Sequence, residues 1–152
     1  MSHCIDTSAL LEAWVRRYPH DVFPGLWAHI EVLAAREELR APDEVLQELQ
    51  VKDDDLAKWA KQRDGLFVPL EPAVMTGVRE VLDAFPRLVG TLKRRNRADA
   101  FVIALAKLDG LTVVTEERGG TSDRPRIPLI CEHFAVPCIN TLEFIRETGL
   151  TF

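Results

Sequence analysis

The sequence predicts an α/β protein, a three-layer α/β/α sandwich with a central, mainly parallel sheet. The pattern of apolar residues along the chain supports this class. Short β-branched runs, of which residues 111–115 are the clearest, alternate with longer segments whose apolar residues recur at helical spacing. These longer segments can serve as the helical crossovers that parallel strands require. Because the 152 residues contain no linker and no internal repeat, one domain over residues 1–152 is expected.

The first half of the chain is predicted to alternate strands and helices. The elements, in order, are a strand over residues 3–5, helices over 9–17 and 26–39, a long helix from 42 to 64, and a strand over 66–68. Two prolines and a glycine in residues 18–25 separate the first two helices. Pro42 occupies a favourable first-turn position of the long helix, which Gly65 ends.

The second half repeats the alternation. The predicted elements are a helix over 72–85, a helix over 100–108, a strand over 111–115, a short helix over 127–131, a strand over 136–139 and a helix over 142–148. Pro86 stops the first of these helices, and Thr141 is expected to cap the last. The helix over 100–108 is apolar on nearly every side and should therefore be buried.

Composition excludes several classes of protein. With 24 acidic and 19 basic residues the net charge is −5, so a nucleic-acid contact needs a local basic patch rather than a basic coat. No apolar run approaches the roughly 20 residues that cross a bilayer, and the N-terminus lacks the pattern of a signal peptide. The three cysteines and four histidines have no metal-ligand spacing, which predicts reduced thiols in a cytoplasmic protein and argues against zinc.

Acidic residues stand where the predicted strands end. Asp6 directly follows the first strand, and Glu116 and Glu117 directly follow the strand over 111–115. Asp99 opens the buried helix that precedes this strand. In a parallel sheet these positions meet at one edge, where ligands bind. Because clustered carboxylates need a counter-charge, the pattern favours a hard divalent cation such as Mg²⁺.

A purely structural interpretation competes with this one at each position. An aspartate after a strand is often only a helix N-cap, and an aspartate in a first turn complements the helix dipole. Asp99, however, opens a helix that has almost no other polar residue, where an unpaired acid is costly. On the helix opened by Pro42, Glu48 lies nearer the apolar face than Glu44, so Glu48 is the candidate and Glu44 is predicted to be solvated.

These residues resemble the motifs of PIN domains, nucleases that include the VapC toxins. Residues 5–10, Ile-Asp-Thr-Ser-Ala-Leu, resemble the opening motif, and Glu48-Leu49 matches the family's "EL". Residues 98–106 match its "AD…A…A" helix, and residues 111–117 resemble its strand ending in "T-x-D". The C-terminal part, residues 127–144, is similar to a prokaryotic branch of PIN-like proteins. The four motifs occur in the family's order and span nearly the whole chain.

The resemblance implies an acidic pocket that binds Mg²⁺ or Mn²⁺. Its catalytic and metal-binding residues would be Asp6, Glu48, Asp99 and Glu117, with Thr115 hydrogen-bonding in the pocket. The family usually has aspartate where this chain has Glu117, and the extra methylene is expected to push the carboxylate outward.

Two other acids are alternatives to Glu117. Glu116, its neighbour, is expected to support the pocket, and Asp123 lies further along the loop. Either residue could supply the fourth carboxylate if Glu117 does not.

The resemblance further implies a metal-dependent endoribonuclease that hydrolyses RNA phosphodiesters, expected to be the toxin of a toxin–antitoxin pair. The expected partners are RNA, an antitoxin protein that lies against the N-terminal helices near Trp14 and Trp27, and a second copy in a homodimer. The RNA backbone is expected to contact the strongest basic cluster of the sequence, Lys93, Arg94, Arg95 and Arg97. The alternatives are a PIN-like binding module without catalysis and a housekeeping RNA-processing or flap nuclease.

Overall fold

The fold was analysed in a computed structural model, which describes residues 2–88 and 98–152. Within these ranges the chain forms one five-stranded sheet whose strands are β1 (His3–Ile5), β2 (Leu39–Pro42), β3 (Phe67–Val68), β4 (Thr112–Val114) and β5 (Cys138–Ile139). Their spatial order is β3-β2-β1-β4-β5, and every neighbouring pair is parallel. The predicted sheet is therefore confirmed, and it is wholly rather than mainly parallel.

Helices connect and flank the strands, as the predicted α/β/α sandwich requires. In the described ranges they are α1 (Thr7–Glu12), a π-helical turn (Ala13–Arg17), α2 (Pro24–Ala35), α3 (Asp43–Lys52), α4 (Asp54–Lys61), α5 (Pro72–Ala84), α6 (Asp99–Asp109), α7 (Ile127–His133) and α8 (Thr141–Glu147). None of these helices combines the length and the apolar character that a membrane crossing requires.

Strand β2 occupies residues that the sequence assigned to the ends of two helices. Helix α2 ends at Ala35, and Glu37 then takes a left-handed conformation with φ of 58° that turns the chain. Residues 39–42 enter the sheet, where the Ala41 N–H donates to the Leu66 carbonyl at 2.8 Å. Pro42 is thus the last residue of a strand and not the first turn of a helix. The prediction was wrong because a four-residue strand is too short to interrupt helical periodicity visibly.

Several helix boundaries differ from the predicted ones because side chains cap the helices. The long helix from Pro42 is two helices, because Asp53 is extended and its carboxylate accepts a hydrogen bond from the Leu56 N–H at 3.0 Å, capping α4. Helix α8 is capped by Asn140 rather than Thr141, in a capping box with Glu143. Side-chain caps of this kind compete with continuation of the helix. The spacing of apolar residues, from which the helices were predicted, gives no indication of such caps.

The buried apolar residues form a connected core on which α6 is the central helix. Residues 100–106 are all buried, which confirms the expected buried helix. Trp27 is fully buried and packs edge-on against Trp14 and Trp59. Trp27 therefore cannot present its side chain to a partner without unfolding of this region.

Candidate functional site

The carboxyl ends of the central strands carry the first residues of the site. In the sheet register Ile5 lies beside Val114, and Val114 lies beside Ile139. The ladder continues one residue further, since the Asp6 N–H donates to the Val114 carbonyl and the Thr115 N–H donates to the Ile139 carbonyl, each at 3.0 Å. Asp6 and Thr115 are consequently neighbours at one edge of the sheet, although 109 positions separate them in sequence.

A cavity of about 270 Å³ opens at this edge, and five carboxylates line it: the four predicted ones and Glu12 at the end of α1. Asp6 comes from the end of β1, Glu48 from α3, Asp99 from the first turn of α6 and Glu117 from the segment after β4. We call this space the carboxylate cavity. The structure thus brings all four predicted carboxylates together, while their catalytic and metal-binding roles stay predictions.

Asp6 is held by hydrogen bonds from three residues. The Ala9 N–H donates to Oδ1 at 2.8 Å, so Asp6 is the N-cap of α1. The Thr115 hydroxyl donates to Oδ2 at 2.5 Å, and the Ser8 hydroxyl lies within 2.9 Å of both oxygens. Burial nevertheless raises the pKa of Asp6 to about 7, with the charge of Glu117 acting in the same direction. The cap and the cavity wall are therefore one residue, so the two interpretations of Asp6 are compatible.

Glu48 is fixed by a partner on α1. The Thr7 hydroxyl donates to its Oε1 at 2.5 Å, and the residue is 7% exposed. Glu44, which was predicted to be solvated, is even more buried at 4%. The prediction was wrong because α3 packs against β2 and β3 as well as α1, which buries a wider face than its apolar stripe indicates. Glu44 lines a separate small space beside Val68 and does not reach the carboxylate cavity.

The pKa of Asp99 is shifted by the other three predicted carboxylates and by Lys52. Burial raises its pKa well above the ordinary value, and the negative charges of Glu117, Asp6 and Glu48 raise it further. Lys52, which also lines the cavity, opposes this shift. The four carboxylates therefore act on each other electrostatically, and a counter-charge at this place would stabilise their ionised forms.

Glu117 lines the carboxylate cavity despite its longer side chain. Its backbone N–H donates to the Thr115 hydroxyl at 3.0 Å, which ties the residue to the sheet edge. Burial raises the pKa of Glu117, and Arg126, whose Nη1 lies 3.4 Å from Oε1, lowers it in part. A backbone hydrogen bond from Ile127 also lowers the pKa of this carboxyl, while Oε2 is buried and meets no donor with hydrogen-bond geometry within the described residues. Such an oxygen is costly unless a ligand or water reaches it.

Of the remaining predicted site residues, Thr115 contacts a carboxylate of the cavity, and the others lie elsewhere or outside the described residues. Thr115 does bind Asp6 as expected, but Glu116 lines a neighbouring cavity and accepts a hydrogen bond from the Thr141 N–H at 3.1 Å. Asp123 is 86% exposed and lies 3.9 Å from Arg87, so it does not replace Glu117. The basic cluster expected to contact RNA lies outside the described residues and comprises Lys93, Arg94, Arg95 and Arg97.

Four residues beyond the predicted carboxylates complete the site. Thr7 and Ser8 supply hydroxyl donors, and Lys52 and Arg126 supply positive charges. For Lys52 a signal existed, because it follows Glu48 by four residues and therefore lies one helical turn away on the same face. Arg126 had no such signal, since only the path of the loop after β4 brings it to Glu117.

The donor set fits a hard divalent cation. Across residues 2–88 and 98–152, no three His, Cys, Asp or Glu side chains are gathered closely enough to form a ready cation site. The side chains of the cavity that can ligate a metal nonetheless do so through oxygen, and five carboxylates outnumber the two cationic side chains, Lys52 and Arg126. This is the chemistry of Mg²⁺ or Mn²⁺, which bind through few carboxylates and keep several waters.

Comparison with known proteins gives one family and no activity. A family model described as "Domain of unknown function (DUF4411)" matches residues 3–152. No match to a curated protein was found. The chemistry of the site must therefore be argued from its own residues.

Proposed function

Because the chain belongs to the family described as "Domain of unknown function (DUF4411)", we propose a function from the site itself: a metal-dependent endoribonuclease that hydrolyses RNA phosphodiesters. One observation carries the proposal, namely that four carboxylates remote in sequence line a single cavity at the carboxyl edge of a parallel sheet. The PIN-like order of the motifs around the same four residues supports it. We place the activity in the cytoplasm, where the three free thiols would stay reduced.

The carboxylates would hold the cation and the hydroxyls would hold the carboxylates. Asp6, Glu48, Asp99 and Glu117 are the residues available to bind Mg²⁺ or Mn²⁺. When bound, such a cation lowers the pKa of a water and stabilises charge on a phosphoryl group. Thr115 and Ser8 orient Asp6, and Thr7 orients Glu48, so that the carboxylates do not have to be ordered during the reaction.

Two basic residues in the carboxylate cavity would contact the phosphate. Lys52 and Arg126 line the cavity together with the acids. An arginine can donate two parallel hydrogen bonds to a phosphate, while a lysine acts as a compact positive charge. In the metal-free protein the same two residues partly offset the carboxylates, as the pKa shifts of Asp99 and Glu117 indicate. Hydrolysis would then proceed by positioning and electrostatics, without a covalent nucleophile.

A toxin role rests on the family resemblance alone. We propose that the nuclease is the toxin of a toxin–antitoxin pair, neutralised by an antitoxin that blocks the carboxylate cavity. Of the aromatic residues expected to face this partner, Trp14 is partly accessible, whereas Trp27 is not. Induced expression in a bacterial host should stop growth with the wild-type protein and not with Asp6→Asn. Relief of that arrest by a small neighbouring gene would separate a toxin from a housekeeping nuclease.

The strongest alternative is a PIN-like binding module that has lost catalysis. It is favoured by the hydroxyls that already engage Asp6 and Glu48, and by glutamate at position 117. Such a protein would bind RNA or a protein partner through the same edge of the sheet and would need no cation.

Cleavage of a mixed RNA pool that includes transfer RNA separates these functions. Wild type, Asp6→Asn and Asp99→Asn are compared in Mg²⁺, in Mn²⁺ and in EDTA, with Asp64→Asn as the control because it removes the same charge from an exposed position. The proposal predicts metal-dependent cleavage by wild type and Asp64→Asn, and a loss of at least about 100-fold in the other two. Equal, metal-independent cleavage in all four proteins would refute it. Mass spectrometry of the wild-type preparation reveals any co-purified inhibitor.

A further inference from the structure

A second cavity adjoins the carboxylate cavity. It has a volume of about 480 Å³ and lies beyond the carboxyl ends of β4 and β5. Glu117 lines both cavities. The π-helical turn gives a second link, because Glu12 lines the carboxylate cavity, while Arg17, which lies 3.6 Å from Glu12, lines the second one. The two cavities therefore lie side by side, with Glu117 in the wall of both.

The side chains of the second cavity favour a neutral ligand with hydrogen-bond donors. Val136, Ile139 and Leu142 provide apolar contact surface. Four glutamates line the cavity, against two arginines, Arg17 and Arg118. This surplus of negative charge disfavours a phosphate as the main occupant. A flat group with N–H donors on its edge would satisfy both the apolar surface and the carboxylates.

Two of these carboxylates are fixed in place before any ligand arrives. Glu116 accepts a hydrogen bond from the Thr141 N–H at 3.1 Å, and Glu143 accepts one from the Asn140 N–H at 3.2 Å. Each bond occupies the Oε1 atom, so the other oxygen of each carboxylate can accept from a ligand. Fixed acceptors of this kind confer selectivity at little cost in side-chain entropy.

We infer that this second cavity, here called the nucleobase cavity, binds the base of an unpaired ribonucleotide adjacent to the phosphate in the carboxylate cavity. The inference rests on the proposed function and names its substrate: single-stranded RNA. The volume falls in the range of small-ligand sites and suits one base with its ribose, not a duplex. Bases with an exocyclic amino group, adenine, cytosine and guanine, are preferred, because uracil offers a single N–H donor between two carbonyl oxygens that the glutamates repel.

The chain carries a built-in probe for this cavity. Cys138 lines it and is partly accessible, whereas the other two cysteines, Cys4 and Cys131, are fully buried. An alkylating reagent applied to the folded protein should therefore modify Cys138 selectively. A hydrogen bond with Cys131 lowers the pKa of the Cys138 thiol, which favours this reaction.

The test measures the rate of Cys138 alkylation by mass spectrometry in EDTA, where RNA is not cleaved. A short oligoadenylate at about ten times its dissociation constant should slow the reaction about tenfold, and oligouridylate at the same concentration should slow it less. Arg118→Ala should weaken protection, while Arg79→Ala, an equal charge change at an exposed position on α5, should not. Glu116→Gln should reduce the difference between the two oligonucleotides.

The outcomes separate this inference from the proposed function. Two outcomes overturn the inference: the oligonucleotides bind and the rate of Cys138 alkylation is unchanged, or the oligonucleotides do not bind at all. Metal-dependent cleavage without protection of Cys138 overturns the inference and leaves the nuclease intact. Protection of Cys138 in EDTA, combined with no cleavage in the separate assay with Mg²⁺ or Mn²⁺, keeps the nucleobase cavity and overturns the nuclease.

Discussion

Asp6 is both the N-cap of α1 and part of the wall of the carboxylate cavity. The two positions shift the pKa of its carboxyl in opposite directions. As a cap it accepts a hydrogen bond from the Ala9 N–H, which favours the ionised form. As a buried group beside Glu117 it loses solvation and meets a like charge. The second effect is larger, so the pKa is raised to about 7. In the absence of a cation, Asp6 is therefore a source of instability at neutral pH.

Asp6→Asn should stabilise the metal-free protein at alkaline pH. Between the ordinary pKa of 3.8 and the folded value of about 7, the native state holds a proton that the unfolded state has released. Stability contributed by this proton is present at low pH and is lost as the pH rises through that window, by up to about 4 kcal/mol. Asparagine keeps the cap oxygen and cannot ionise. Denaturant unfolding in EDTA should show Asp6→Asn more stable than wild type at pH 8, with little difference at pH 4.

A matched variant controls for the change of cap residue. Asp53 also caps a helix through its side chain, at the start of α4, and Asp53→Asn should show no comparable gain at pH 8. If Asp6→Asn were less stable than wild type at pH 8 in EDTA, the electrostatic account of the cavity would be wrong.

Sequence reasoning identified the four acids and missed their hydrogen-bond partners. Asp6, Glu48, Asp99 and Glu117 were identifiable because motif order and strand ends mark them. The hydroxyls of Thr7 and Ser8 were not, because serine and threonine after a strand are common in turns of any function. Glu44 was misjudged because burial by three neighbouring elements is a property of packing and not of one helix.

Among the secondary-structure elements, the turns before β3 and after α6 depend on glycines that differ in their surroundings. Gly65 has φ of 83°, and a Cβ there would overlap the Ala34 carbonyl oxygen at the end of α2. Gly110 ends α6 with φ of 67°, and a Cβ there would have no neighbour within 4 Å. The same substitution at both positions therefore separates backbone strain from steric overlap.

Gly110→Ala should lower the free energy of unfolding by about 1 kcal/mol, the cost of a left-handed alanine. Gly65→Ala should lower it by about 3 kcal/mol, because the α2 backbone must also move. Urea unfolding of the two variants and wild type measures both values. If both variants lost the same free energy of unfolding, the overlap of a Cβ at Gly65 with the Ala34 carbonyl oxygen would add no cost, and this explanation would be wrong.

Most strands and helices could be predicted from the sequence, and the errors share one cause. The strands β1 and β4 and the buried helix α6 have strong apolar patterns and were found. Strand β2 and the break at Asp53 were missed, because both depend on short-range competition: a left-handed Glu37 before β2 and a side-chain cap at Asp53. A periodic pattern averaged over several turns does not resolve such events.

For the whole molecule, the parallel sheet is what converts sequence-distant acids into one site. Its strand order places β1 beside β4, so residues after both strands share an edge. The fold class could be predicted because it needs only the alternation of strands and helices. The position of Arg126 could not, because it depends on a loop whose path no local pattern specifies. The same holds for the nucleobase cavity, which exists only where β4, β5 and α8 meet.

The four carboxylates are proposed to form a divalent-cation site, and a measurement of Mn²⁺ binding addresses that proposal without relying on catalysis. Calorimetric titration at pH 8, above the pKa of Asp6, compares wild type with Asp99→Asn and with the exposed control Asp64→Asn. We predict equal binding by wild type and Asp64→Asn, binding at least about tenfold weaker by Asp99→Asn, and weaker binding of all three at pH 5, where the carboxylates take up protons. Equal Mn²⁺ binding by wild type and Asp99→Asn, or no binding by wild type, would contradict the account.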